Sequence, residues 1–250
     1  MKLSGKVALV TGAAHRVGKV IALTLAKEGA DVVVHYGGSA DAARETASEI
    51  EALGRRALLH QADMGSWDAA TGLGKAALDH FGYVDYLINS ASSFVPNDYF
   101  STTEADYDKA FDVNTKGPFA LSQVIGQAMM KRDGDGITGH IVNIVDEGAF
   151  YPWKHYVAHS LSKGALLGLT RSQVINLAPK VRVNAICPGP ILKPPDYSEA
   201  QWQALRNSNP LHALSSAEDV ADIIMFLLTG PHFINGDCIM LDGGRMWQHQ

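Results

Sequence analysis

An α/β fold with a doubly wound, mostly parallel sheet of seven strands is what the sequence predicts, on three observations. Short β-branched runs alternate with stretches of helical length along the 250 residues. Several of these runs are apolar almost throughout instead of alternating, the mark of strands covered on both faces by helices. A glycine-rich turn joins the first run to the first helical stretch, as the first unit of a βαβ repeat requires.

The strands are expected at KVALVTG (6–12), DVVVHY (31–36), RALLHQAD (56–63), VDYLINSA (84–91), HIVNIVD (140–146), VRVNAICPG (181–189) and DCIMLDGG (237–244). Between the first two, GKVIALTLAKEGA (18–30) carries Ile21, Leu25 and Ala26 at helical spacing,. The length fits one domain spanning 1–250. The Gly- and Pro-rich segment 187–202 reads as a loop leading into a short helix, and about 190–215 as the loop that shapes a substrate pocket.

With 21 Lys and Arg against 26 Asp and Glu, the net charge of −5 offers no basic field for nucleic acid or an anionic membrane surface,. The longest apolar runs, such as IIMFLL (223–228), are far shorter than the roughly 20 residues a membrane-spanning helix needs,. The N-terminus enters a strand-like run without a signal-peptide core. Two cysteines, Cys187 and Cys238, fit a reduced compartment without a disulfide framework,. These features imply a cytoplasmic protein with a small-molecule partner.

The turn TGAAHRVGKV lies between a strand and a helix, where backbone N–H groups and the helix N-terminus can meet a pyrophosphate. Gly12 and Gly18 frame it, with His15, Arg16 and Val17 between them. An acidic residue closing the second strand would hold the ribose hydroxyls of NAD and repel an extra phosphate. Here the strand closes as HYGGS, and Asp31 stands at its other end. NADPH is therefore favoured, with Arg16, His35 and Ser39 as phosphate ligands and Tyr36 beside them. Asp63, followed by Met64 at the end of the third strand, is placed to accept from the adenine amino group. Its structural alternative is a helix N-cap.

Together with this turn, NSASSF (89–94), DVNTKGPF (112–119), IVNIVD (141–146), a helix carrying Lys163, and CPGPI (187–191) stand in an order that resembles the short-chain dehydrogenase/reductase family over essentially the whole chain. Arginine for the middle glycine of the turn, the HY..S after strand two, SASSF, and aspartate where most relatives carry a catalytic serine are similar to the pteridine reductase branch. The resemblance implies a Rossmann-type three-layer sandwich that assembles as a homotetramer. It implies that Asn89, Ala91 and Ser92 line the cofactor, that Phe94 stacks over a flat heteroaromatic substrate, and that Asn114 holds a proton-relay water. Pro188, Gly189 and Ile191 would contact the nicotinamide carboxamide, and Lys163 its ribose.

The family's proton donor is a tyrosine four residues before the lysine. Here HYVAHSLSK (155–163) puts His159 there, on the same helix face as Lys163,. Tyr156 lies about 4.5 Å away along the helix axis, at 1.5 Å per residue, and could serve only a differently bound substrate. An imidazolium is a competent acid, but Lys163 and the charge developing on the nicotinamide disfavour that form. The shorter imidazole would also leave room for a bridging water. Asp146 with water offers a second proton source, which in the branch this chain resembles serves dihydro substrates.

The leading expectation is thus an NADPH-dependent reductase of a dihydropterin, dihydrofolate or other small carbonyl or imine. A catalytically silent NADPH-binding protein, and a non-redox enzyme using His159 as a neutral base, are the alternatives. His155 and His159 share i, i+4 spacing, but no carboxylate or cysteine pattern completes a metal site.

Overall fold

The computed structural model describes residues 1–193 and 197–248. Its seven strands are β1 Val7–Val10, β2 Asp31–Tyr36, β3 Ala57–Gln61, β4 Tyr86–Asn89, β5 Gly139–Ile144, β6 Val181–Pro188 and β7 Cys238–Leu241. They form one sheet in the order β3-β2-β1-β4-β5-β6-β7, with every neighbouring pair parallel. All seven expected strands are present, each within its expected span or a residue beyond it.

The helices are α1 Arg16–Lys27, α2 Ala40–Ala52, α3 Trp67–Phe81, α4 Glu104–Phe111, α5 Gly117–Lys131, α6 Val157–Leu177, α7 Glu199–Arg206 and α8 Ala217–Thr229. Strand β1 shows why its run is continuously apolar. Ala8 and Val10 point into a core built with α1, α2 and α8, whereas Val7 and Leu9 point into a second core built with α3 and α5. The inner strands of such a sheet are buried twice, so parity of sequence carries no polar signal there,.

The strand order reverses between β1 and β4, and a crevice opens there beyond the carboxyl ends of the strands,. One further device shapes that end. Between α4 and α5 the chain makes a π-helical turn, Asp112–Lys116, which carries Asn114 buried against the site,. The expected loop of 190–215 contains α7; residues 194–196 of it lie outside the described residues.

Two glycines of the first turn are required sterically. Gly12 has φ of +69°, and a Cβ on it would stand 3.1 Å from Ala91 Cα. A Cβ on Gly18 would stand 2.1 Å from the carbonyl oxygen of Gly12, so the helix can lie this close to the strand end only without one. Gly18→Ala is expected to destabilise the protein by about 1–3 kcal/mol through overpacking, measured by urea unfolding, and to weaken NADPH binding in a fluorescence titration.

Candidate active site

A cleft of about 1280 Å³ runs along the carboxyl ends of the strands, from the glycine turn to α7 and the turn Arg245–Trp247. At one end, helix α1 begins with no capping side chain and no acidic residue in its first turn. Its orphan N–H groups and its dipole favour an anion there. Arg16 holds φ of +56°, a left-handed backbone that costs a non-glycine residue about 1–2 kcal/mol. No carboxylate closes β2, and Gly37 and Gln61 line the cleft instead, joined by a 2.8 Å bond from Gln61 Nε2 to the Gly37 carbonyl.

His35 has a different task from the phosphate ligation expected of it. Its Nδ1 accepts from the Gly12 N–H at 3.0 Å, and its Nε2–H donates to the Ala62 carbonyl at 3.0 Å. Both ring nitrogens are spent on backbone and the side chain is buried. Burial holds its pKa below the usual histidine value. A neutral imidazole that ties the ends of β1, β2 and β3 together offers no charge to a phosphate. Asp63 accepts from the Gly65 N–H through Oδ1 while Ser66 caps α3, so the N-cap alternative for Asp63 is excluded.

In the middle of the cleft, His159 Nδ1 lies 2.8 Å from the Ser93 carbonyl oxygen, and its Nε2 lies 2.6 Å from Asp146 Oδ2. A carbonyl only accepts, so Nδ1 carries hydrogen. A second hydrogen must lie between Nε2 and the carboxylate oxygen. Burial works to raise the Asp146 pKa, but the His159 hydrogen bond and the Lys163 charge outweigh it and hold the carboxyl below its ordinary value. One hydrogen is therefore shared between the imidazole and the carboxyl group.

That geometry corrects one expectation. Asp146 is not an independent acid: its Oδ2 receives the proton's hydrogen bond, and its Oδ1 accepts from the Gly148 N–H at 2.9 Å.

Asn114 holds the arrangement from behind. Its Oδ1 accepts from the Ser93 N–H at 2.7 Å, and its Nδ2 donates to the Ser93 carbonyl at 3.0 Å and to Ser162 Oγ at 2.9 Å. Its side-chain amide is thus committed to protein partners. Lys163 is buried, donates from Nζ to the Ile144 carbonyl at 2.7 Å, and has its pKa lowered by that burial.

Aromatic rings wall the site. Phe94 stacks on Tyr156 with centroids 4.3 Å apart and stands edge to face with His159 at 4.7 Å. Trp153 lies parallel to the imidazole at 6.0 Å, its backbone N–H held by Ser160 Oγ.

The comparisons with known proteins fit this geometry. Residues 12–245 match the family model described as enoyl-(acyl carrier protein) reductase. The hydroxynaphthalene reductase-like protein Arp2 of Metarhizium brunneum is 33% identical, with 98% of this chain and 96% of that protein covered. A short-chain dehydrogenase of Burkholderia cenocepacia in complex with NADP superposes with a TM-score of 0.90 at 32% identity, covering 98% of this chain and 100% of that one. FolM alternative dihydrofolate reductase 1 of Brucella canis, complexed with NADP, superposes at 0.88 with 31% identity over 99% and 96%. The chain belongs to the short-chain dehydrogenase/reductase family.

In this short-chain dehydrogenase/reductase the expected residues line the cleft, except Tyr36, Ser39, Asn89 and Asn114. Tyr36 packs against the core under α1 and α2. Ser39 is exposed at the start of α2. Asn89 turns its amide to Asn143 and Ser122. Sequence reasoning missed the Ser93 carbonyl, Trp153 and an ion pair in which Arg245 Nη1 donates to Glu147 Oε2 at 2.6 Å. Glu147 is 3% exposed, and its Oε1 has no partner among the described residues. Burial, against the pull of Arg245, pushes its pKa up to about 7.

Folded Glu147 keeps its proton up to about pH 7, whereas an unfolded chain releases it near the ordinary value of about 4.3. Across that window the folded state binds the extra proton, so this group's contribution to stability falls as pH rises. Glu147→Gln is expected to match the wild type near pH 4 and to exceed it at pH 8 by up to ~3 kcal/mol, read from urea titrations at both pH values.

Proposed function

We propose that this protein is an NADPH-dependent reductase of the pteridine reductase type, acting on dihydropterin, dihydrofolate or a similar planar imine or carbonyl. The observation that carries the reading is the proton held between His159 Nε2 and Asp146 Oδ2, at the middle of an aromatic-walled cleft. A histidine in the proton-donor position, neutral beside a lysine, would argue for silence. A carboxylate-stabilised imidazolium argues for a working acid.

The chain's residues fit the cofactor. The open α1 terminus and Arg16 suit its phosphates, the acid-free end of β2 accommodates a 2′-phosphate, and Lys163 keeps donors for the nicotinamide ribose beyond its bond to Ile144. When bound, NADPH supplies the hydride. His159 then gives its Nε2 proton to the substrate atom that gains electrons, and Asp146 stabilises the imidazolium until that transfer. Ser93 keeps the ring oriented through Nδ1, and Asn114 keeps Ser93 in place. The relative that is a dihydrofolate reductase complexed with NADP supports both the cofactor and the substrate class. Both ring nitrogens act as donors, which favours the acid over the neutral base that a non-redox reaction would use. A homotetramer in the cytoplasm, as the family resemblance implies, belongs to the same reading.

NADPH consumption with product identification, on oxidised biopterin, dihydrobiopterin and dihydrofolate, tests this. The expected result is preferential turnover of the dihydro substrates. His159→Gln should lower kcat/KM by about 10²-fold or more, the usual worth of a general acid, with NADPH affinity unchanged. His159→Tyr should gain activity on oxidised biopterin. Tight NADPH binding without turnover of any of these, and turnover only in the tyrosine variant, would sink the proposal.

A further inference from the structure

The Glu147–Arg245 pair is unexplained by the hydride and proton chemistry, and it is costly. Glu147 buries a carboxylate with one oxygen unpartnered among the described residues. Such an oxygen has lost its water without a hydrogen bond to offset the loss. Replacing a buried ion pair by apolar residues is often neutral or stabilising, so packing alone gives no reason for the pair.

What it achieves is to fix a guanidinium in the cleft. Arg245 opens the single helical turn Arg245–Trp247 that follows β7, and its side chain lines the cleft together with Trp153, Trp202 and Leu205. The backbone before it is clamped. Asp242 accepts from the Gly244 N–H at 2.9 Å and from the Met246 N–H at 2.8 Å. Gly243 and Gly244 hold φ of +64° and +85°. From the other side Glu147 takes one donor. Among the described residues no other side-chain hydrogen bond of Arg245 is present, so the rest of its fork of five N–H groups stays available,. The side chain is 20% exposed. Of the other cationic groups on the cleft, Arg16 belongs to the glycine turn, Lys163 and His159 are buried beside Asp146 at the middle of the cleft, and Lys154 is exposed and makes no ion pair among the described residues.

We infer that Arg245 is the anion-recognition residue of the substrate end: it binds an anionic oxygen group, such as a carboxylate, on a planar aromatic substrate, and Glu147 is the positioning residue that aims it. A guanidinium meets a carboxylate with two parallel hydrogen bonds, which fixes the orientation of the attached ring as well as its affinity. The aromatic walls supply the complementary surface for that ring. The assignment rests on the reading of this cleft as the substrate site, and it narrows the substrate to aromatic compounds that carry a negative group.

Calorimetric titration of the full-length protein at saturating NADP+ tests it with two probes of one shape, 2-naphthoate and methyl 2-naphthoate. The wild type should bind the carboxylate about tenfold more tightly than the ester, the worth of a charged hydrogen bond. Arg245→Gln should erase the preference by weakening naphthoate alone, and Lys154→Gln should retain it. Arg245→Lys, which keeps the charge and loses the fork, should weaken naphthoate several-fold with the ester unchanged, and it decides the matter should the glutamine variant fail to fold. No charge preference in the wild type, a preference that survives Arg245→Gln, or one lost in Lys154→Gln would overturn the assignment. Because binding is read without turnover, a carboxylate preference in a protein that reduces no pterin would remove the reductase reading and leave Arg245 in its role. A competent reductase without the preference would do the reverse.

Discussion

The 2.6 Å contact between His159 and Asp146 sets a condition that the surrounding structure has to meet. A carbonyl oxygen and a carboxyl oxygen face the two nitrogens of one buried ring, and each of the two contacts needs a hydrogen between its heavy atoms. In a site of low dielectric an unpaired imidazolium would be strongly disfavoured. Its stability depends on Asp146 remaining ionised, and that in turn depends on the Gly148 N–H and on Lys163. The ring's orientation depends on Ser93, and Ser93 on the amide of Asn114, which reaches it because α4 and α5 are joined through a π turn. The orientation of His159 is thus set by a chain of contacts that runs through Ser93 and Asn114.

The fold was legible because of a redundancy between chemistry and topology. Strands such as β1 and β6 bury both faces, and their apolar runs cannot be satisfied in any other layer of the sandwich. The glycine turn was legible for a similar reason: contacts of 2.1 and 3.1 Å leave no volume for a Cβ, so residue type and geometry imply each other. The same double burial explains the misreading of His35. On a strand covered on one side only, parity would separate a core residue from a surface one, but β2 is buried at four consecutive positions. A histidine near its end can therefore look like a ligand while it is a strut.

The chemistry was half legible. The i, i+4 spacing placed His159 beside Lys163, and the motif order placed Asp146 nearby. Their direct contact could not be read, because the distance between a strand end and a helix face depends on packing across the sandwich. The Ser93 carbonyl is a backbone group and leaves no mark on residue identity. Arg245 did leave one: a charged residue after a Gly-Gly pair at the end of the last strand, the edge where ligands of such sheets bind. The signal was present, and the expectation for that region stopped at the strand.

Arg16 joins two properties at one position. The left-handed backbone there suits glycine, and a side chain is kept on it at a cost of about 1–2 kcal/mol,. A single replacement by glycine would relax that strain and at the same time remove a cation from the mouth of the cleft. Thermal robustness and the charge of the anion-binding turn are therefore opposed along one mutational step. Selection for a sturdier protein, acting alone, would push position 16 toward glycine.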